Sequence, residues 1–290
     1  MNFVKKKCIF KIFMCFSFLT LRYFLSLVCH SFILLIFCCF FHLSSLYKYI
    51  YMCVCVCVCV CIKNAMTSPE LKAGFCQDVV TLQNLGVRIL VVHGGGPQIN
   101  AMLEKVGVES RFEGGMRVSS TDVVDVAEMV LCGSVNKEIS STICSAGGRA
   151  IGLSGRDDNL LQCVKKIDKD GYDLGFVGEV DSVNTELLNQ LLDMGICPVV
   201  SPIGTGIGEE KDIAYNVNAD VAAGRIAGEL RAARVLFLTD IAGVLDKEMK
   251  LLPTLSCDDV NALIDDETIT GGMIPKVSVR IIVYWRCCRC

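Results

Sequence analysis

Three consecutive glycines, Gly94 to Gly96, separate a short apolar run from a proline. The run Arg88 to Val92 predicts a strand buried on both faces, and Pro97 suits the first turn of a helix. Glycine lets the backbone approach a ligand closely, and a helix N-terminus offers unpaired N–H groups to an anion. The motif therefore predicts an anion site, although a tight turn that needs positive φ is the simpler alternative. It matches neither a P-loop nor a dinucleotide-binding fingerprint.

A second polar cluster consists of Asn216, Asn218 and Asp220, which alternate just before a helical pattern. Asn218 suits the N-cap position, and Asp220 then falls in the first turn, where a carboxylate is favourable. Capping alone could explain these two residues. Two amides and a carboxylate at this spacing could equally bind a polar ligand.

Three further positions are weaker signals when each is taken alone. Thr239 and Asp240 end the apolar run Arg234 to Leu238, and open α/β sheets bind ligands at the carboxyl ends of strands. A second glycine pair precedes Lys276. Arg117 follows a Gly-Gly-Met sequence, and by itself it suggests a surface salt bridge.

The elements that must position these residues alternate regularly from Asn64 onward. Apolar runs typical of buried strands are separated by amphipathic helical patterns, at Ser68–Leu85, Arg88–Val92, Ala150–Leu153, Cys197–Ser201, Asn218–Leu230 and Arg234–Leu238. Such alternation predicts an α/β fold with a parallel sheet covered by helices on both sides.

Composition argues against nucleic-acid binding and sets the first 62 residues apart from the rest of the chain. The net charge of −3 and the pI of about 5.7 give no electrostatic argument for nucleic-acid binding. The first 62 residues contain ten of the 19 cysteines and no acidic residue. The six cysteines between residues 64 and 277 are scattered without a CxxC pair, so we predict free thiols in a reducing compartment and no metal site.

Residues 1–63 form a low-complexity, Cys- and Phe-rich segment. The stretch Phe24 to Leu43 has no charged residue and is long enough to span a bilayer. The strict Cys-Val alternation from Cys53 to Cys61 also matches translation of a TG dinucleotide repeat. We interpret the segment as translated intron or upstream genomic sequence outside the fold, with a membrane anchor or a targeting segment as alternatives. Residues 278–290 have an equally foreign composition, so the predicted domain is 64–277.

Nine short motifs follow one another along the chain in the same order as in a known enzyme family. They comprise Ala65-Met66-Thr67, His93 to Pro97, Gly115 to Val118, Val135-Asn136-Lys137, Gly152 to Gly155, Gly175 to Gly178, Asn216 to Asp220, Leu238 to Leu245 and Gly271 to Lys276. The chain resembles the N-acetylglutamate kinases of the amino-acid kinase family, and residues Ala65 to Lys72 look closest to plant and cyanobacterial members. The resemblance implies a three-layer α/β sandwich with a mostly parallel central sheet.

The resemblance also implies an activity and a site. In this family ATP, accompanied by Mg²⁺, phosphorylates the side-chain carboxylate of N-acetyl-L-glutamate in arginine biosynthesis. The implied residues are catalytic Lys276 and Asp220, substrate-binding Gly95, Gly96, Arg117 and Asn216, and nucleotide-binding Thr239, Asp240, Gly243, Leu245, Gly272 and Met273. Arginine as feedback inhibitor, a PII-type signalling protein, homo-oligomers and the chloroplast stroma are further expectations from the resemblance.

Two departures from the family pattern matter. Members carry a first strand followed by Lys-Tyr-Gly-Gly or similar, whereas Lys63 here is out of register with that lysine and no Gly-Gly follows it. We therefore predict that the first strand and the C-terminal part are missing and that the chain is inactive or folds poorly. The alternatives are a catalytically dead or regulatory homologue, or another member such as a glutamate 5-kinase, aspartokinase or carbamate kinase.

Overall fold

The computed structural model describes residues 14–15, 57–62, 68–113, 116–168, 171–239, 243–271, 273–274 and 276–277. The apolar stretch Phe24 to Leu43, Lys63, two of the predicted nucleotide-binding residues (Asp240 and Gly272) and residues 278–290 lie outside these ranges. Among the helices in the described part, none combines the length and apolar character needed to cross a membrane.

The described strands and helices alternate along the chain. The strands are β1 (Met14–Cys15), β2 (Cys57–Ile62), β3 (Arg88–His93), β4 (Phe112–Glu113), β5 (Met116–Arg117), β6 (Ala150–Ser154), β7 (Leu161–Ile167), β8 (Asp173–Val183), β9 (Cys197–Ser201), β10 (Ile203–Gly206), β11 (Ala214–Asn216) and β12 (Arg234–Leu238). The α-helices are α1 (Pro69–Asn84), α2 (Gly96–Val106), α3 (Thr121–Glu128), α4 (Asn136–Ser145), α5 (Glu186–Asp193), α6 (Ala219–Glu229) and α7 (Cys257–Asp265). A π-helix, Met129–Val135, joins α3 to α4.

A six-stranded parallel sheet forms the centre, in the order β1-β12-β2-β3-β9-β6. Successive residues of β3 face opposite sides, as strand geometry requires. Ile89 and Val91 pack into a core with α1, α2, α3 and α4, whereas Leu90 and Val92 pack into a second core with α5 and α6. The predicted parallel sheet with helices on both faces is confirmed.

Strand β2 corrects the prediction that the first strand is missing. Cys57–Ile62, the end of the Cys-Val repeat, lies between β3 and β12 and pairs in parallel with both. Cys59 and Ile62 are fully buried, one in each core. Alternating small and β-branched apolar residues suit a strand covered on both faces, whatever the origin of the repeat. Part of the segment 1–63 therefore belongs to the fold.

Strands β7, β8, β10 and β11 close into a small barrel beside the sheet. Strand β10 follows β9 directly and pairs with β7 in parallel and with β11 in an antiparallel arrangement. Strand β11 ends at Asn216, immediately before α6. The barrel thus carries one of the predicted site residues to the start of a helix of the main layer.

Burial of Cys59 gives a direct test of β2. We expect Cys59→Asp to lower the free energy of unfolding by several kcal/mol, because an isolated carboxylate in a core carries a desolvation penalty of that order. Cys144→Asp is the matched control, since Cys144 is exposed and surface changes usually stay within about 0.5 kcal/mol. Urea unfolding followed by circular dichroism measures both. Equal, small effects at the two positions would place the Cys-Val repeat outside the core.

Candidate functional site

The glycine loop joins the carboxyl end of β3 to the start of α2. Gly94 donates its N–H to the Ile62 carbonyl oxygen at 2.7 Å, which ties the loop to the end of β2. Gly95 is the N-cap of α2 and has an extended φ of 178°, so positive φ does not explain this glycine. A Cβ on Gly95 would lie 2.6 Å from Leu131 Cδ2 of the π-helix, whereas a Cβ on Gly96 would meet nothing within 4 Å. Packing accounts for Gly95, and open space lies beside Gly96.

Arg117, on β5, brings a positive charge to this loop. Its guanidinium donates to Ser110 Oγ, to Asn100 Oδ1 at 2.6 Å and to the Gly96 carbonyl oxygen at 3.5 Å. It also lies 4.6 Å from the centroid of the Phe112 ring. These partners are all neutral, so the surface salt bridge suggested by sequence alone is not the arrangement found among the described residues. Burial lowers the pKa of the guanidinium, which still stays charged at neutral pH.

The hydroxyl of Ser119 links the side chain of Asn216 to the backbone of Arg117. Asn216 donates its Nδ2 to Ser119 Oγ at 3.3 Å, and Ser119 Oγ donates to the Arg117 carbonyl oxygen at 3.0 Å. Ser119 is fully buried. Sequence reasoning missed it, because a serine two residues after an arginine shows no sign of a partner 97 positions away.

Lys276 and Asp220 are in contact at the start of α6. Lys276 Nζ lies 3.1 Å from Asp220 Oδ2, and both side chains are largely buried, with 12% and 1% exposure. Asn218 caps the helix by accepting from the N–H groups of Asp220 and Val221 at 2.9 and 3.4 Å. Asn218 is therefore a helix cap, whereas Asp220 has a side-chain partner 56 positions away that capping does not explain.

The predicted nucleotide-binding residues lie in the part of the chain that follows β12. Thr239 comes directly after that strand, and Gly243 is buried with a positive φ of 146°. Leu245 forms an isolated bridge with Leu251. Met273 packs against a small separate core of Val244, Val260, Ile269 and Val277. Val244, which follows Gly243, and Met273 share this core with Val277, the residue after Lys276.

His93, to which the sequence assigned no role, makes a buried polar pair behind the glycine loop. Its Nε2 lies 3.1 Å from Asn136 Nδ2, and its Nδ1 lies 3.1 Å from the Gly94 carbonyl oxygen. An amide N–H can only donate, so Nε2 accepts and Nδ1 carries the proton. Burial lowers the pKa of His93 to about 4, against a smaller opposing effect of the Gly94 hydrogen bond. His93 is therefore a neutral spacer between the loop and α4.

The low pKa of His93 predicts how stability depends on pH. Above pH 6.5 both states carry a neutral ring, but between about pH 6.5 and 4 only the unfolded chain takes up the proton. The free energy of unfolding should consequently fall as the pH falls, by about 2 kcal/mol between pH 7 and pH 5 through this residue. Urea unfolding over this range should show a shallower slope for His93→Gln than for the unmodified chain. Identical slopes would contradict a neutral His93.

No group of three or more His, Cys, Asp or Glu residues within the described ranges is placed to hold a metal ion. The charged groups that the geometry brings into the site are instead one arginine with neutral partners and one lysine–carboxylate pair. Together with the N-termini of α2 and α6, this arrangement suits a multiply charged anionic ligand better than a bare cation.

Comparison with known proteins places this fold and site in a class. Residues 64–283 match the model of the amino acid kinase family. The chain is 49% identical to the acetylglutamate kinase of Neisseria meningitidis serogroup C over 219 residues, covering 74% of this chain and 72% of the relative. The acetylglutamate kinase of Brucella canis is 51% identical over 227 residues, covering 75% and 76%. The chain belongs to the acetylglutamate kinases of that family.

Solved structures agree on the architecture. The structure of smu.665 from Streptococcus mutans matches with a TM-score of 0.69 and 27% identity, over 79% of this chain and 91% of the other. The N-acetylglutamate synthase of Neisseria gonorrhoeae, complexed with coenzyme A and N-acetyl-glutamate, matches with a TM-score of 0.68 over 80% of this chain and 52% of the other. Its 20% identity shows the shared fold alone.

Proposed function

We propose that the protein transfers the γ-phosphoryl group of ATP to the side-chain carboxylate of N-acetyl-L-glutamate, a step of arginine biosynthesis. The proposal is carried by one observation: a chain 49% identical to acetylglutamate kinases holds Arg117 and Asn216 together through a buried serine. An arginine with neutral partners and an amide side chain suit a ligand that has a carboxylate and an acylated amine.

The chemistry needs positioning and positive charge more than proton transfer. A glutamate-type carboxyl group has a pKa of about 4.3, so the nucleophile is already ionised at neutral pH without a general base. One carboxylate oxygen attacks the γ-phosphorus, the bond from that phosphorus to the β–γ bridging oxygen breaks, and ADP leaves. The obstacle is that an anion approaches a polyanion, which fixed cationic groups and oriented dipoles overcome.

The predicted site residues can supply this positioning and positive charge. In the proposal, the N–H groups of Gly95 and Gly96 hold the substrate carboxylate that receives the phosphoryl group, because the start of α2 favours anions. Arg117 binds the other carboxylate, and Asn216 binds the polar end of the acetamido group. Lys276 stabilises charge on the transferring phosphoryl group, and Asp220 holds Lys276 in place, as their 3.1 Å contact supports.

The remaining predicted site residues contact the nucleotide in this proposal. ATP lies along the segment after β12, beside Thr239, Asp240, Gly243, Leu245, Gly272 and Met273. Mg²⁺ accompanies ATP and is held by its phosphates, which is the usual arrangement for this small, strongly hydrated ion. The position of Thr239 at the carboxyl end of β12 supports this placement, since open parallel sheets bind ligands at that edge.

Several finer points stay predictions from the resemblance. They are inhibition by arginine, binding of a PII-type signalling protein and assembly into homo-oligomers. The chloroplast stroma is also one of them, since it was inferred from residues Ala65 to Lys72 and the relatives reported above are bacterial.

A substrate panel tests the proposed function. The purified chain is incubated with Mg²⁺-ATP and N-acetylglutamate, glutamate, aspartate or carbamate, and acyl phosphate is trapped as the hydroxamate (carbamoyl phosphate is assayed separately). We expect the variant that carries Lys-Tyr-Gly-Gly after β2 to turn over N-acetylglutamate only. The unmodified chain should be slower by at least roughly 10²–10³, down to no detectable turnover, because one charge-stabilising donor is absent. Preference for another acceptor would overturn the proposal. Binding of N-acetylglutamate without turnover in either protein would favour the catalytically dead homologue.

Lys276 provides the sharpest single-residue test of the mechanism. We expect Lys276→Met to lower kcat by roughly 10²–10³ with little change in KM for N-acetylglutamate, because its charge acts mainly in the transition state. Lys247→Met is the matched control, since Lys247 also pairs with an aspartate, but at 3.8 Å with 64% exposure. Equal kcat values for the two variants would remove Lys276 from the catalytic group.

A further inference from the structure

The contacts of Ser119 go beyond the catalytic and binding residues considered so far. Its backbone N–H donates to the Leu174 carbonyl oxygen at 3.0 Å, and its own carbonyl oxygen accepts from the Phe176 N–H at 2.7 Å. These bonds attach the segment after β5 to strand β8 of the barrel. The side chain of Ser119 is fully buried. Ser119 therefore lies where the strand that carries Arg117 meets the barrel that carries Asn216.

The close approach of Gly175 makes this attachment tight. Gly175 has a φ of +75°, and a Cβ there would lie 2.3 Å from the Ser119 carbonyl oxygen. Only glycine leaves room for the backbone of Ser119 to pair at this point. The position of the Ser119 hydroxyl is thus set by backbone contacts on both sides, and its side chain has little freedom to follow a ligand.

The hydrogen-bond directions at Ser119 follow from elementary chemistry. A carbonyl oxygen can only accept, so the single hydroxyl proton of Ser119 goes to the Arg117 carbonyl at 3.0 Å. The Ser119 oxygen must then accept from its other partner, which is Asn216 at 3.3 Å. Asn216 consequently turns its NH₂ group toward Ser119, and its Oδ1 is the end that remains for a donor on the ligand.

We propose that Ser119 is a positioning residue that fixes the orientation of the Asn216 amide relative to Arg117 and thereby sets the affinity for the acceptor substrate. This inference rests on the proposed function for its effect on catalysis. The orientation itself does not depend on that function. Ser119 does not touch the reacting atoms, so its removal should act on substrate binding and leave the chemical step almost unchanged.

The kinetic test compares Ser119→Ala with a matched buried serine. One neutral hydrogen bond is worth roughly a 3- to 10-fold change in an equilibrium constant. We expect Ser119→Ala to raise KM for N-acetylglutamate by about that factor, with kcat and KM for ATP unchanged. Ser140→Ala is the control, because Ser140 is also buried but donates to the Asn136 carbonyl oxygen within α4. A fall in kcat with unchanged KM would overturn the proposal.

A double-mutant cycle separates positioning from a general structural effect. If Ser119 acts through Asn216, then Ser119→Ala should add nothing to the rise in KM already caused by Asn216→Ala. Additive effects in the double variant would show that the serine acts independently of the amide. The melting temperature of each variant shows whether the fold persists.

A substrate-free measurement keeps the inference testable even if the chain lacks kinase activity. The side-chain NH₂ signals of Asn216 are assigned in a ¹⁵N-labelled, deuterated sample by their loss in Asn216→Asp. We expect Ser119→Ala to shift these signals and speed their exchange with water, and Ser140→Ala to leave them unchanged. Unaltered Asn216 signals in Ser119→Ala would refute the orientation, whereas altered signals in a chain that stays inactive even with Lys-Tyr-Gly-Gly after β2 would refute only the proposed function.

Discussion

The pairing of β2 with both β3 and β12 is the constraint on which the site depends. Strand β3 leads into the glycine loop, and β12 leads into the segment that ends with Lys276. In the described sheet these two strands are not neighbours, and β2 lies between them and hydrogen-bonds to each. The bond from Gly94 N–H to the Ile62 carbonyl oxygen continues this pairing into the loop. Without β2, the glycine loop after β3 and the segment after β12 would have no shared sheet.

The arrangement also resolves an electrostatic problem that the proposed reaction creates. Two anions must be brought together, and their repulsion grows as water is excluded. The partners of Arg117 are neutral and do not offset its charge, whereas the charge of Lys276 is partly offset by Asp220. A fully compensated lysine would contribute little, and an uncompensated one at 12% exposure would carry a desolvation cost. The ion pair holds the lysine in place, and the N-terminus of α6 stabilises the negative charge of Asp220 in its first turn.

Local chemistry made part of this predictable from sequence. Gly95 at a helix start, Asn218 as a cap and the carboxyl-edge position of Thr239 each follow from patterns within a few residues. Strand β2 was missed because a Cys-Val repeat suggests a nucleotide repeat, although the same alternation of apolar residues suits a buried strand. Ser119 and the His93–Asn136 pair were missed for another reason. Their partners lie 97 and 43 positions apart, and no local pattern encodes such a contact.

The buried polar pair behind the glycine loop shows why these long-range contacts matter. The two N–H hydrogens of Asn136 Nδ2 are shared among three acceptors: His93 Nε2 at 3.1 Å and the carbonyl oxygens of Leu153 and Val199 at 3.2 and 2.8 Å. These two carbonyls belong to β6 and β9, so one amide links the loop end of β3 to two neighbouring strands. A core of apolar side chains could tolerate small shifts among the strands, but directional bonds to a neutral imidazole fix their relative positions. The glycine loop is therefore held by hydrogen bonds on the His93 side, and open space lies beside Gly96.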